Sequence, residues 1–438
     1  MDVFKNFRKN CLWIYDFLKG GAIRKHYREI KIIFDGEESN IEIPHIINDN
    51  LNKLIVHAIT SVTHYKQYSD AKSLQDFKVI NKNIIRESYA DFISDKFDKS
   101  DLQQVYTSGS TGTPFKVLQD KNKKNRNAAD TLFFAEKAGY TTGEKLYYLR
   151  HWDQYNTRGK LETWLKNIVM HPVSKLTDKD IDKLISDIKN EKGNVNIISY
   201  ASALEKIASY IDRQEPPKAD FKVTSILSIA EGISDRAREI ISDYFGTQLI
   251  SRYSNVENGI LSQEIMGKGQ EYYINTASFI VEILDFNEDR PLPDGCLGRI
   301  VITDLFNYAM PMIRYDTGDL GVMESKVEND INYFVLKKVE GRRADMIFNT
   351  KGQHISSYVV YHLLKYPHIH QYQFIQNDVN QYTFKFKVSA EFNSEDQIKN
   401  EFKIHLGNDA QINFEYVDDI PLLSSGKRKV VVNKIPVN

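Results

Sequence analysis

The run Thr107-Ser108-Gly109-Ser110-Thr111-Gly112-Thr113 consists only of glycines and hydroxyl-bearing residues. Glycines allow positive φ and close approach of the backbone, while Ser and Thr add side-chain donors beside the main-chain N–H groups, so the run suits the wrapping of an anion such as a nucleotide phosphate. The flanking segments 102–107 and 115–119 read as short strands, so a tight hairpin turn is an equal reading of the same residues. A Walker loop is disfavoured, because it opens directly into a helix and carries Gly-Lys-Ser/Thr.

Three later stretches extend the chemistry. Ser251-Arg252-Tyr253-Ser254-Asn255-Val256-Glu257 ends an expected parallel strand. Tyr253 there can stack on a flat base, and the Glu257 carboxylate can hold a hard cation that bridges phosphates; a polar strand-to-loop transition is the plainer alternative. In Arg314-Tyr315-Asp316-Thr317-Gly318-Asp319, Asp319 follows a glycine turn and is suited to accept two hydrogen bonds from a ribose diol, while Arg314 and Asp316 could simply pair at a strand end. Gly341-Arg342-Arg343-Ala344-Asp345 and the basic tail Ser425-Gly426-Lys427-Arg428-Lys429 form the last pair. Lys427 in a glycine-containing loop can reach a distant site as a mobile charge, or it can be solvated.

The elements that must position these residues follow from periodicity. Helical spacing runs over 49–65, 123–138, 178–189, 204–210 and 235–244, and strands are expected at 145–150, 194–199, 225–228 and 248–253. Alternating strands and helices imply α/β layers around a largely parallel sheet, whose ligands sit at the C-terminal strand ends. His151, Trp152, Tyr200 and the segment around Ser228 fall at such ends and are candidates to line an acid pocket. From 279 the pattern changes to a β-rich subdomain with strands at 279–284, 298–303 and 312–315. Beyond 341 a helix at 357–364, strands at 372–376 and 382–388, a helix at 395–406 and a strand at 411–416 make a small α+β module. The expected division is a large N-terminal domain over 1–341 and a small C-terminal domain over 342–438.

Composition bounds the partners. The 438 residues carry 58 Lys plus Arg against 59 Asp plus Glu, a formal net charge of −1, so nothing global favours nucleic acid. Cys11 and Cys296 are the only cysteines, which excludes a disulfide framework and a cysteine-built zinc site and fits a reducing, cytoplasmic setting. No apolar run is long enough for a transmembrane segment. The N-terminal helix with Phe4, Leu12, Trp13, Phe17 and Leu18 is expected to pack on its own protein, and the first hundred residues could supply a homodimer surface.

In this order the motifs resemble the adenylate-forming superfamily of acyl-CoA synthetases and adenylation domains, most nearly its phenylacetate-CoA ligase and capsular-polysaccharide CapK-like branch. The phrase 298–319, Gly-Arg-Ile-Val-Ile-Thr-Asp through Arg-Tyr-Asp-Thr-Gly-Asp319, is very like that group, and the similarity runs from about Leu102 onward. The resemblance implies that Thr107, Ser108, Gly109, Ser110, Thr111 and Gly112 hold the ATP β- and γ-phosphates. It implies Tyr253 against adenine with Ala230, Glu231 and Gly232 lining the same pocket, Glu257 on Mg2+, Asp319 on the ribose hydroxyls and Arg342 on the ribose or phosphate side. Lys427 would be the mobile lysine between carboxylate and α-phosphate, 343–345 the hinge of a mobile C-terminal domain, and Lys351-Gly352 would face the entry of the acceptor in the second half-reaction.

The implied reaction joins a small carboxylic acid to AMP with release of pyrophosphate, then passes the acyl group to a thiol, coenzyme A first. An acyl-carrier protein or a sugar amine of surface-polysaccharide assembly is the alternative acceptor, and a nucleotide-binding protein without turnover the third reading. Three departures stand out: Val256 occupies the place of the usual threonine, Phe115 that of a common lysine, and Ala344 that of a common aspartate.

Overall fold

The computed structural model describes residues 3–35, 43–107, 115–152, 157–173, 176–218, 220–328, 331–342, 346–355, 360, 363, 366, 368–421 and 429–435. It opens on three helices, α1 (Val3–Leu18), α2 (Ala22–Asp35) and α3 (Ile43–Ser61), followed by short 3-10 turns and α4 (Lys82–Glu87). The hairpin β1 (Gln103–Thr107) and β2 (Phe115–Gln119) comes next and leads into α5 (Lys121–Lys137). Asp120 caps α5 by accepting from Lys123 N–H, which is why the helix starts where the strand ends.

The α/β layer contains β3 (Lys145–Arg150), α6 (Lys160–Lys166), β4 (Ile168–Pro172), α7 (Asp178–Lys189), β5 (Val195–Tyr200), α8 (Ala201–Gln214), β6 (Val223–Ile229), α9 (Asp235–Phe245) and β7 (Leu249–Asn255). Strands β4, β3, β5, β6 and β7 pair in parallel. Helices α7, α8 and α9 bury Ile181, Leu204, Ile207 and Ile241 against one face of that sheet, on Val195, Ile197, Ile226 and Leu249. The capping box of Thr177 and Asp180 fixes the start of α7.

The β-rich segment expected from 279 is present, and it continues the parallel sheet edge to edge. It comprises β8 (Gly259–Gln263), β9 (Tyr272–Ile274), β10 (Phe279–Leu284), β11 (Leu297–Asp304), β12 (Tyr315–Glu328) and β13 (Ile331–Arg342). Strand β7 pairs with β6 over Leu249 to Ser251 and with β8 from Arg252 onward, so the antiparallel strands continue the parallel ones in one 11-stranded sheet. The expected strand at 312–315 is corrected. Met312 and Ile313 are fully buried but Arg314 takes φ 52°, a left-handed turn that delays β12 until Tyr315.

The C-terminal residues form β14 (Ile347–Phe348), β15 (His354–Ile355), β16 (Ile369–Asp378), β17 (Gln381–Val388), the helix Glu395–Leu406, β18 (Gln411–Tyr416) and β19 (Val431–Asn433). Strands β18, β17, β16 and β19 make a four-stranded sheet. Phe374, Tyr382 and Phe384 of this sheet pack with Ile398, Phe402 and Leu406 of the helix into a core of their own. The expected helix at 357–364 lies largely, and the expected hinge at 343–345 wholly, outside the described residues. Among the described residues no helix is long and apolar enough to cross a membrane.

Candidate active site

Strand β7 carries Tyr253 into the interior, where its phenol O–H donates to Asp319 Oδ2 at 2.8 Å and to Thr317 Oγ1 at 3.3 Å. Asp319 in turn donates its N–H to Thr317 Oγ1 at 3.1 Å, which holds the turn Thr317-Gly318-Asp319 with Gly318 at φ 81°. Burial and the Asp319 carboxylate raise the Tyr253 phenol well above its ordinary range, so it stays a donor at neutral pH. In the ladder of β12 and β13, Asp319 is the partner of Arg342. Tyr253, Asp319 and the backbone of Arg342 therefore lie together.

Glu257 lies just beyond β7 and is buried. Its Oε1 accepts from Tyr315 O–H at 3.1 Å and sits 2.8 Å from the Lys82 ammonium. Burial and the Glu257 carboxylate raise Tyr315 well above its ordinary range, fixing it as a donor. Lys82 reaches this point because Asn81 caps α4 and the preceding Ile80 bridges β12: Ile80 N–H donates to Arg314 O and Asp316 N–H donates to Ile80 O. The Gln119 side chain, at the end of β2, donates to Glu257 O at 3.0 Å and ties the hairpin to the same place. Lys82, Tyr315 and Thr317 were not identified from sequence. Only the weak signal that Tyr315 and Thr317 flank the Asp319 turn was available.

Thr107 ends β1 opposite Phe115, so the hairpin reading is realised. Its connecting residues Ser108, Gly109, Ser110, Thr111 and Gly112 lie outside the described residues, as does Lys427. The turn Ala230-Glu231-Gly232 follows β6; Ala230 takes φ 75° and Glu231 accepts from Ser202 N–H at 3.2 Å. Strand register pairs Ser228 with Ser251, two residues before the turn and two before Tyr253. Trp152 donates to Tyr148 O and His171 O. Val256 is 53 % exposed, Phe115 is buried and Lys116 stacks over Tyr89. Lys351 and Gly352 form the turn between β14 and β15, with Gly352 at φ 74°.

Arg314 and Asp316 do not pair with one another. Arg314 grips Glu282 through two 3.0 Å hydrogen bonds, and Asp316 accepts from Arg299 at 3.0 Å. Both are struts that shape the turn leading to Asp319.

The donor set can be tested against Mg2+. Among the described residues no cluster of three or more His, Cys, Asp or Glu forms a protein cage. The one buried carboxylate of Glu257 fits the other mode of Mg2+ binding, in which the ion arrives with nucleotide phosphates and takes one or two carboxylates from the protein.

Residues 347–434 match the CapK C-terminal domain family. Over 445 aligned residues, covering 96% of this chain and 94% of the relative, the chain is 22% identical to a CapK protein of Staphylococcus aureus. It is 24% identical to a phenylacetate-coenzyme A ligase of Pseudomonas putida over 68% of this chain and 70% of that one. Among solved structures, 2-hydroxyisobutyryl-CoA ligase in the postadenylation state superposes with a TM-score of 0.67 at 15% identity, covering 89% of each chain. ATP-bound MatB from Rhodopseudomonas palustris gives 0.54 at 16% identity over 77% of this chain and 68% of that one. The resemblance drawn from the four motifs is borne out: the chain is similar to CapK and to phenylacetate-CoA ligases, and it has the adenylate-forming fold of the acyl-CoA ligases.

Proposed function

We propose that this chain activates a small carboxylic acid with MgATP and then transfers the acyl group to a thiol, coenzyme A in the simplest case. The observation that carries this reading is the meeting of Tyr253 with Asp319, of Asp319 with the backbone of Arg342, and of Gln119 at the end of β2 with the backbone of Glu257. A carboxylate oxygen attacks the α-phosphorus, the bond to the bridging oxygen of the β-phosphate breaks, and pyrophosphate leaves. The thiol sulfur then attacks the acyl carbon of the mixed anhydride and AMP leaves. Two anions meet in the first step, so the problem is electrostatic and needs no general base.

Each residue has a role in that scheme. Asp319 accepts from the ribose hydroxyls while Tyr253, locked as a donor to Asp319, presents its ring to the base. Glu257 is the carboxylate for Mg2+, which when bound neutralises phosphate charge. The 107–112 loop orients the pyrophosphate, and Lys427 carries a mobile charge to the reacting groups. Residues 1–341 hold the acid and nucleotide, and rotation of 342–438 about 343–345 exchanges Lys427 for the acceptor near Lys351 and Gly352. The reaction belongs in the cytoplasm, where ATP and thiol acceptors are available.

The match of 347–434 to a CapK C-terminal domain supports a second reading of the acceptor, a carrier protein or a sugar amine, since in this scheme the acceptor approaches that domain near Lys351 and Gly352. Label exchange between pyrophosphate and ATP tests the first step. Exchange is expected with some carboxylic acid and should collapse in Lys427→Ala; silence across a broad panel of acids would reduce the protein to a nucleotide binder. Acceleration of AMP release by coenzyme A, against carrier or amine acceptors, then decides the second step.

A further inference from the structure

Four parallel strands place one row of side chains across their C-terminal ends. Register aligns Tyr148 with Ile198, Leu227 and Ile250 on one face of the sheet, where Leu227 and Ile250 pack with Ala138. Two residues further along each strand, on the same face, stand Arg150, Tyr200, Ile229 and Arg252. This is the end of a parallel sheet at which ligands bind. The row also lies one residue short of the nucleotide residues, since Tyr253 follows Arg252 and Ala230 follows Ile229.

Two cations in that row are incompletely satisfied. Arg252 is partly buried; its Nε donates to Gln263 Oε1 at 2.7 Å, but its buried Nη2 has no hydrogen-bond partner. The buried Nε of Arg150 is likewise without one, while the guanidinium stacks over Tyr148 and Trp152 at 5.5 and 5.3 Å and hydrogen-bonds Tyr200. Two carboxylates act on the row, and both accept hydrogen bonds from other groups. Asp130, which attracts Arg252, accepts from Ser278 at both oxygens, and Glu231 near Tyr200 is held by Ser202 N–H. Burial lowers the Arg252 guanidinium to about 10, which still leaves it charged at neutral pH. A wholly apolar acid would leave the buried Nη2 donor of Arg252 without an acceptor.

We propose that the row binds a second anionic group on the acid substrate, so that the chain activates one carboxylate of a dianionic acid, a dicarboxylic acid in the simplest case. Arg252 Nη2 is the direct donor to that anion, and Arg150 and Tyr200 complete the wall. The inference rests on the adenylating reading above and names its substrate class.

Matched acids test it in the pyrophosphate exchange assay: butanoate against succinate, pentanoate against glutarate, and glycerate against 3-phosphoglycerate, the last separating a phosphate from a carboxylate as the second anion. The dianionic member of at least one pair should exceed its partner by tenfold or more in kcat/KM. In Arg252→Met that ratio should fall about 10- to 100-fold, chiefly through KM, as expected for loss of one charge-assisted hydrogen bond, and Arg252→Lys should restore part of it. Stabilisation of each variant by MgATP reports that it is folded. Preference for the singly charged members, or an equal loss for both members in Arg252→Met, overturns the inference and leaves adenylation standing. Silence with every acid in the wild-type protein overturns both.

Discussion

Glu257 already has a cation and a phenol at its carboxylate, from Lys82 and Tyr315, and this bears on the metal role proposed for that residue. A buried carboxylate without a counter-charge is unfavourable, so Lys82 stabilises the nucleotide-free site, and a metal-bearing nucleotide must share or displace it. Lys82→Met is therefore expected to lower the stability of the free protein by about 2 kcal/mol, below the figure for a fully buried pair because the Lys82 side chain is partly exposed. It should do less harm to the MgATP-bound protein. Thermal unfolding with and without MgATP checks this, and the gap between the two should be wider in the variant than in the wild type. An unchanged gap would mean that Lys82 and the metal do not compete for Glu257. Glu257 and Asp319 were legible from motif spacing, whereas Lys82 was not, because its pairing spans 175 residues and is created by the bridge between Ile80 and Tyr315.

Helix α5 shows how an element can be readable in outline and opaque in content. Its extent over 121–137 follows from an Asp cap and helical composition, yet Lys123, Arg126 and Asp130 on it are fully buried, which a polar sequence does not suggest. Their charges are met across the fold: Lys123 Nζ forms an ion pair with Asp304 Oδ2 of β11 at 2.7 Å, and Arg126 donates to Ser278, Glu29 and Ala277 O. Lys123→Met should cost about 3–5 kcal/mol, because it strands the Asp304 carboxylate. Adding Asp304→Asn, which keeps an oxygen for Phe306 N–H, should recover at least about 2 kcal/mol of that loss. Denaturant unfolding of the four proteins in the cycle measures the coupling, and strict additivity would show that the pair is dispensable. The same long-range logic explains the other elements missed from sequence. The β12–β13 hairpin alternates charged and apolar residues that meet only through pairing over Asp319 to Glu328, and β4 is defined by its neighbour β3 rather than by a strong apolar pattern.

At the scale of the whole molecule, α2 is fastened to α5 through His26, and this fastening makes stability depend on pH. His26 Nε2 lies 3.0 Å from Asn122 Oδ1 and Nδ1 lies 3.5 Å from Arg126, so the neutral ring donates to the amide oxygen and faces the guanidinium with its lone pair. Burial, and then the Arg126 charge, lower His26 to about 4 from an ordinary 6.5. A folded value below the unfolded one means that the contribution is fully present above pH 6.5, shrinks as protons bind the unfolded chain, and is lost as pH falls through 4. A difference of this size corresponds to about 3 kcal/mol. His26→Gln keeps a donor for Asn122 and removes the titration. Urea unfolding at pH 7.5, 6, 5 and 4 should show a wild-type advantage or deficit that is constant above pH 6.5 and then moves toward the variant by up to about 3 kcal/mol at pH 4. Parallel pH profiles for the two proteins would place the acid sensitivity of the fold elsewhere than in the α2–α5 contact.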